Sequence, residues 1–163
     1  AKDPNLSRAA PPNPAGINRL PKYALVYKVM KDGALSLVVL PVHGKGLWST
    51  LYGFLALDAD LNTIHGITFY QHGETPGLGG EVDNPRWKSL WIGRKAFDEQ
   101  GQPAIGLAKG PAGGVEDDPH RVDGLSGATL TSRGVTNLAR FWLGQQGFGP
   151  YLEKLRNARS ENG

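Results

Sequence analysis

From residue 23 onward, apolar and polar positions alternate with a period of two, the spacing of strands with one buried face. Residues 23–30 and 34–42 flank Lys31-Asp32-Gly33, turn chemistry that predicts a hairpin. The glycine-rich bend Gly44-Lys45-Gly46 follows, and then residues 51–57 and 63–70, separated by a turn over 58–62, predict a second hairpin. The loop over 71–80 is too rich in Gly and Pro for regular structure. Asp83-Asn84-Pro85 reads as a helix start, with Asp or Asn as cap and Pro in the first turn, opening a short helix that carries Trp87 and Trp91. A further strand is expected at 104–108, and 110–120 is a loop with the acidic run Glu116-Asp117-Asp118.

The period changes late in the chain. Val135, Leu138, Ala139 and Trp142 fall at i, i+3, i+4 and i+7, one buried face of a helix expected to begin near Ser132. Gly144 and Gly147 loosen its end, and Gly149-Pro150 opens another helix to about residue 157, with Leu152 and Leu155 as contacts. Hairpins early and helices late predict an α+β fold in one domain over residues 21–158. Residues 1–20, with Pro4, Pro11, Pro12 and Pro14 and little periodicity, read as a flexible arm, and 159–163 as a tail.

Composition narrows the chemistry. The chain of 163 residues is 39% hydrophobic and 20% charged, as a globular domain requires, with 23 Gly and 12 Pro that imply many turns. A net charge of +3 without long basic runs leaves no footprint for nucleic acid. With no cysteine, disulfides, thiolate metal sites and iron–sulfur ligation by this chain are excluded. His43, His65, His72 and His120 lack metal-site spacing, and neither a phosphate loop nor a hydrolase elbow occurs. No stretch approaches the ~20 apolar residues that span a bilayer. The start, Ala1-Lys2-Asp3-Pro4, has neither initiator methionine nor signal peptide and reads as a mature or trimmed piece of a longer chain.

Three segments could carry chemistry. Ser126, Thr129, Thr131 and Ser132 cluster around the small Gly127 and Ala128 just before a helix, where backbone N–H groups suit a phosphate. The same residues could simply cap that helix, and spacing alone favours the cap. His72-Gly73-Glu74-Thr75-Pro76-Gly77-Leu78-Gly79 could lay its backbone on a flat ligand, or serve as a wide hairpin connection. Trp48, in Gly46-Leu47-Trp48-Ser49, is equally suited to the core and to a cofactor. Glu74 and Glu81 form only a weak candidate pair for acid–base work.

Two of these segments carry a resemblance. Asp123-Gly124-Leu125-Ser126-Gly127-Ala128-Thr129 resembles the signature at which a flavin transferase joins FMN to threonine through a phosphoester, and His72–Gly79 resembles the flavin-facing loop of the same FMN-binding domain family. Order and spacing of the two are similar to those in the C-subunits of sodium-translocating NADH:quinone oxidoreductases and in the G-subunits of Rnf electron-transport complexes. The run Gly46-Leu47-Trp48-Ser49-Thr50-Leu51-Tyr52-Gly53-Phe54 is more similar to the former. The resemblance spans roughly residues 40 to 155.

It implies FMN held covalently by Thr129 and absent where no transferase has acted. Ser126, Gly127 and Ala128 are expected near the phosphate, and Thr75, Leu78, Glu74, Gly77 and Trp48 near the ring. Thr131 is chemically equivalent to Thr129, and only motif register selects between them. The implied protein relays electrons toward quinone as one part of a membrane complex, without an acid or base of its own. It is anchored by a membrane helix ahead of this sequence, with the domain on the periplasmic side of a bacterial inner membrane. The alternatives are the Rnf protein and a non-redox periplasmic binding domain.

Overall fold

The computed structural model describes residues 4–161. Its elements in chain order are β1 (Ser7–Ala9), β2 (Arg19–Pro21), β3 (Tyr27–Lys31), β4 (Ala34–Lys45), β5 (Thr50–Asp58), β6 (Ile64–Gln71), α1 (Pro85–Ser89), β7 (Gly106–Leu107), β8 (Arg121–Val122), α2 (Thr129–Leu143) and α3 (Gly149–Glu161). Strands β3-β4-β5-β6 form one antiparallel sheet in sequence order. The two predicted hairpins are therefore present and joined. Asp32 and Gly33 both take positive φ, 51° and 78°, the pair of left-handed residues that a tight two-residue hairpin turn needs. Along β5 burial alternates strictly, with Leu51, Gly53, Leu55 and Leu57 inward, so one face of the sheet forms the core floor.

Helix α2 lies across that floor. Val135, Leu138, Ala139 and Trp142 are buried as their spacing predicts, and the Trp142 Nε1–H donates to the His43 carbonyl at 2.7 Å. Burying a side chain such as Leu138 contributes about 1.5–3 kcal/mol. The short α1 starts as expected: Asn84 caps it by accepting from the Arg86 N–H, Pro85 occupies the first turn, and the rings of Trp87 and Trp91 meet edge to face. The strand expected near 104–108 is shorter, and it pairs in parallel with β8.

Three expectations change. The segment read as a flexible arm is built into the fold: β1 pairs with β2, Ala15, Ile17 and Leu20 are buried, and the Lys45 N–H donates to the Ala15 carbonyl. Proline removes helix and ladder options locally, but the apolar residues between the prolines find a partner on the exposed end of β4. Helix α2 begins at Thr129, three residues before the predicted start, with Ala128 in the capping position. The last helix continues to Glu161, through most of the residues read as a tail, whereas residues 1–3 and 162–163 lie outside those described.

Candidate functional site

Loops converge at the N-terminus of α2. The Asp123–Ala128 segment is pinned from several sides. The Asp123 carbonyl accepts from Trp87 Nε1 at 3.0 Å, and its carboxylate accepts from the Ala112 N–H at 2.8 Å. Leu125 is buried, and its N–H donates to the Ser132 hydroxyl oxygen at 3.0 Å. Ser126 and Gly127 make the turn and are exposed, Ala128 is buried, and Thr129 opens the helix on the surface.

The hydroxyls of this segment do not cap α2. Its N-cap residue, Ala128, has no side chain able to do so, and no acidic residue stands in the first turn. The leading N–H groups of an α-helix lack intrahelical acceptors, so this end presents donors and a partial positive charge to an anion. Among the described residues the Thr129 hydroxyl makes no hydrogen bond. It lines a cleft of about 440 Å³ together with Lys109 and Arg133, whose charges suit a phosphate.

Thr131 has the opposite fate. It is 1% exposed and donates its hydroxyl hydrogen bond to Glu74 Oε1 at 2.9 Å. The same Oε1 accepts from the Leu47 N–H at 2.6 Å, while Oε2 accepts from the Trp48 N–H at 2.9 Å and the Ser49 hydroxyl at 3.3 Å. The Ser49 oxygen in turn accepts from the Gly73 N–H at 2.7 Å. A single carboxylate thus ties the 46–49 bend, the 72–80 loop and α2 together. Burial alone would raise the Glu74 pKa, but the bonds from Trp48, Leu47, Thr131 and Ser49 outweigh it and hold the group below the usual glutamate range. His72 extends the network: its Nδ1 accepts from the Glu74 N–H, so its Nε2 carries the proton donated to Asp83 at 2.7 Å. Two glycines make room for this closeness. A Cβ at Gly46 would lie 2.1 Å from Glu74 Oε1, and one at Gly79 would lie 2.5 Å from Thr131 Oγ1.

Glu74, expected to face the ligand, is therefore 5% exposed and turned inward, with both oxygens engaged. Thr75, Gly77 and Leu78 of the same loop are placed differently: Thr75 and Gly77 are exposed, and Leu78 is exposed as a large apolar side chain. Trp48 is 71% exposed, which removes the core reading. Leu47, Leu78 and Leu130 are exposed apolar neighbours along the converging segments. Exposed apolar surface around an uncapped helix end fits a flat ligand that carries a phosphate. Lys109, Arg133, Leu47 and Leu130 were not singled out from sequence. Arg133 follows Thr129 by four residues and would have been legible once the helix start was placed three residues earlier. Lys109 had no local signal. Glu81 is engaged with Asn84 Nδ2 and takes no part in the Glu74 network.

An α+β domain with a ligand-ready helix end and a buried carboxylate organising its loops matches a known class. The sequence profile of the FMN-binding domain family covers residues 46–144, and the chain belongs to that family. Within it, the similarity is to the C-subunits of Na(+)-translocating NADH-quinone reductases in particular. The C-subunit of that reductase from Pseudomonas aeruginosa is 55% identical over 168 residues, 98% of this chain and 62% of that protein. Its counterpart in Yersinia pestis is 55% identical over 150 residues, 91% of this chain and 56% of its own length. The crystal structure of Shewanella oneidensis NqrC superposes with a TM-score of 0.89 at 46% identity, covering 96% of this chain and 72% of that one. The structure of the Parabacteroides distasonis counterpart gives 0.67 at 35% identity, covering 78% and 61%. The chain thus spans about three-fifths of the length of the curated relatives it matches.

Proposed function

We propose that this chain is the FMN-carrying domain of the C-subunit of a sodium-translocating NADH-quinone reductase, with the flavin phosphate esterified to Thr129. The observation that carries the reading is the free, exposed Thr129 hydroxyl at an uncapped helix end, beside Lys109 and Arg133. The names of the relatives support the sodium-pump protein over the Rnf alternative. The absence of side-chain caps on α2 removes the main structural reason for a hydroxyl-rich loop in a non-redox domain.

In this reading bound FMN supplies the redox chemistry, accepting electrons from one partner and passing them on toward quinone. The chain's own residues hold and position it. Thr129 provides the covalent tether, so retention no longer depends on affinity. The first turn of α2, Lys109 and Arg133 offset the phosphate charge. Trp48, Thr75, Gly77 and Leu78 offer a surface for the ring, with Ser126 and Gly127 beside the phosphate. Glu74 keeps these loops in register from beneath.

The same reading puts the domain on the periplasmic side of the bacterial inner membrane, tethered by a helix preceding this sequence. What supports it is the resemblance of the two sequence motifs alone. Among the described residues no helix is long and apolar enough to cross a membrane. Protease accessibility in spheroplasts tests the location: digestion only after lysis would overturn it. Attachment is tested by co-expression with the flavin transferase. Wild type should fluoresce on a denaturing gel and gain the mass of one FMN residue, and Thr129→Ala should do neither. Flavin that survives denaturation in the variant would refute the acceptor assignment.

A further inference from the structure

We propose that Glu74 is the specificity-determining residue for flavin attachment: by holding Thr131 inside the protein it leaves Thr129 as the threonine a phosphoryl donor can reach. The inference rests on the reading of Thr129 as acceptor and goes beyond it. Motif register says which threonine is used, but not what prevents use of a chemically equivalent one two residues away.

Helix geometry supplies the first half of the discrimination. At 3.6 residues per turn, positions two apart point about 200° from one another, so an outward Thr129 implies an inward Thr131. An inward hydroxyl is still reachable if the loops above it open. Glu74 closes them. It accepts from Thr131 Oγ1 at 2.9 Å and, with the same carboxylate, from the Leu47 and Trp48 N–H groups at 2.6 and 2.9 Å. The group that occupies the hydroxyl is therefore the group that fastens the covering bend. Gly79 backbone closes another side, so tightly that no Cβ would fit against Thr131. Thr131 is left 1% exposed.

Attachment requires a threonine Oγ to form a new P–O bond in line with the bond that breaks. The donor is a flavin dinucleotide: its pyrophosphate P–O bond breaks, a nucleoside monophosphate leaves with the electron pair, and the hydroxyl proton passes to a base or to solvent. Nothing is oxidised or reduced. Thr129 on the cleft has the open approach this needs. At Thr131 the approach is filled, and a carboxylate at hydrogen-bonding distance repels the phosphoryl oxygens. Glu74 is close enough to take the Thr131 proton, but a base that also bars access to phosphorus protects the hydroxyl instead.

The test uses the chain co-expressed with the flavin transferase, near-UV circular dichroism to establish folding, and peptide mapping by mass spectrometry. Cleavage after Arg121 and Arg133 releases residues 122–133, which contain both threonines, and fragment ions between them separate the two sites. Wild type should carry flavin on Thr129 alone, and Thr129→Ala should carry none. Glu74→Ala should divide the flavin between the two sites, and Glu74→Ala with Thr129→Ala should place it on Thr131, at roughly one tenth of the wild-type yield or more. A merely structural role for Glu74 would lower total flavin without moving it to Thr131. Flavin on Thr131 in Thr129→Ala with Glu74 intact would overturn the proposal, as would a folded double variant with an unmodified Thr131. If Glu74→Ala does not fold, Glu74→Gln combined with Thr129→Ala replaces it. Gln keeps the volume and one acceptor oxygen but faces an N–H group with its own amide, so the Thr131 adduct is expected at lower yield, and its absence from the folded protein is decisive against. A wild-type chain with no flavin on Thr129 would instead refute the underlying acceptor assignment.

Discussion

Among the described residues two charged side chains are buried, Glu74 at 5% exposure and Arg94 at 2%, and they solve the same problem in different ways. Among the described residues neither forms an ion pair. Arg94 donates to the carbonyls of Leu90, Gly113, Gly114 and Asp118, all backbone groups, 4 to 24 positions away. It is a fork that fastens a loop, indifferent to the side chains of its partners. Glu74 accepts from two backbone N–H groups and two hydroxyls, from residues 25 to 57 positions away. It depends on Ser49 and Thr131 being what they are. The cation fastens the 113–118 loop to Leu90 through backbone carbonyls alone, and the anion joins its segments through side chains as well. A buried charge reads as functional when its partners are specific side chains drawn from several segments.

The largest effect expected from this contrast is in stability. Arg94→Met leaves the carbonyls of Leu90, Gly113 and Asp118 without a donor, whereas Gly114 keeps the Asp117 and Asp118 N–H groups. Each part-buried orphan costs about 1 kcal/mol or more before relaxation, so a loss on the order of 3 kcal/mol is expected in urea unfolding at pH 7. A loss below about 1 kcal/mol would break the comparison, because it would mean that water replaces the guanidinium freely.

Glu74→Gln should cost less, about 2 kcal/mol at pH 7, since several bonds can be remade. Its deficit should also depend on pH. The folded-state pKa of Glu74 is depressed, so its contribution is present above the unfolded value of about 4.3 and is lost as pH falls through the folded value. The gap between wild type and Glu74→Gln should therefore narrow as the medium is acidified below that range. The Arg94 deficit should not narrow, because its acceptors are carbonyls that do not titrate. Unfolding curves for both variants from pH 7 into the acid range check this, and parallel behaviour would show that the two knots are equivalent.

The smallest effect on stability belongs to Trp48→Ala. A side chain 71% exposed contributes within about 0.5 kcal/mol to folding, yet a ring platform at that position should change the absorbance and fluorescence of attached flavin. An unchanged flavin spectrum would take Trp48 out of the site.

Much of the fold was legible because its signals are local. Alternation with period two, the Asp32-Gly33 turn, the Asn84-Pro85 cap and the Val135/Leu138/Trp142 stripe each act over a few residues, and each produced the expected element, although β3 begins at Tyr27 rather than at residue 23 and is exposed on both faces instead of burying one. Two of the readings that changed depended on partners elsewhere in the fold. The proline-rich start looked unstructured until the end of β4 offered it a place. The hydroxyls at 126–132 looked like caps until Leu125 and Glu74 claimed Ser132 and Thr131. The site was legible in a similar proportion: its motifs and Thr129 by resemblance, its cations and its carboxylate knot not at all.

By itself, the sequence determined the order of hairpins and helices, the family motifs and the pair of threonines between which the proposed attachment would choose. Tertiary structure decided the rest. It exposed Trp48, turned Glu74 inward, set Lys109 beside Thr129 and hid Thr131. Backbone preference is settled within a turn of helix or a strand pair. The environment of a hydroxyl is settled by whatever the folded chain brings against it, here a glutamate 57 residues away.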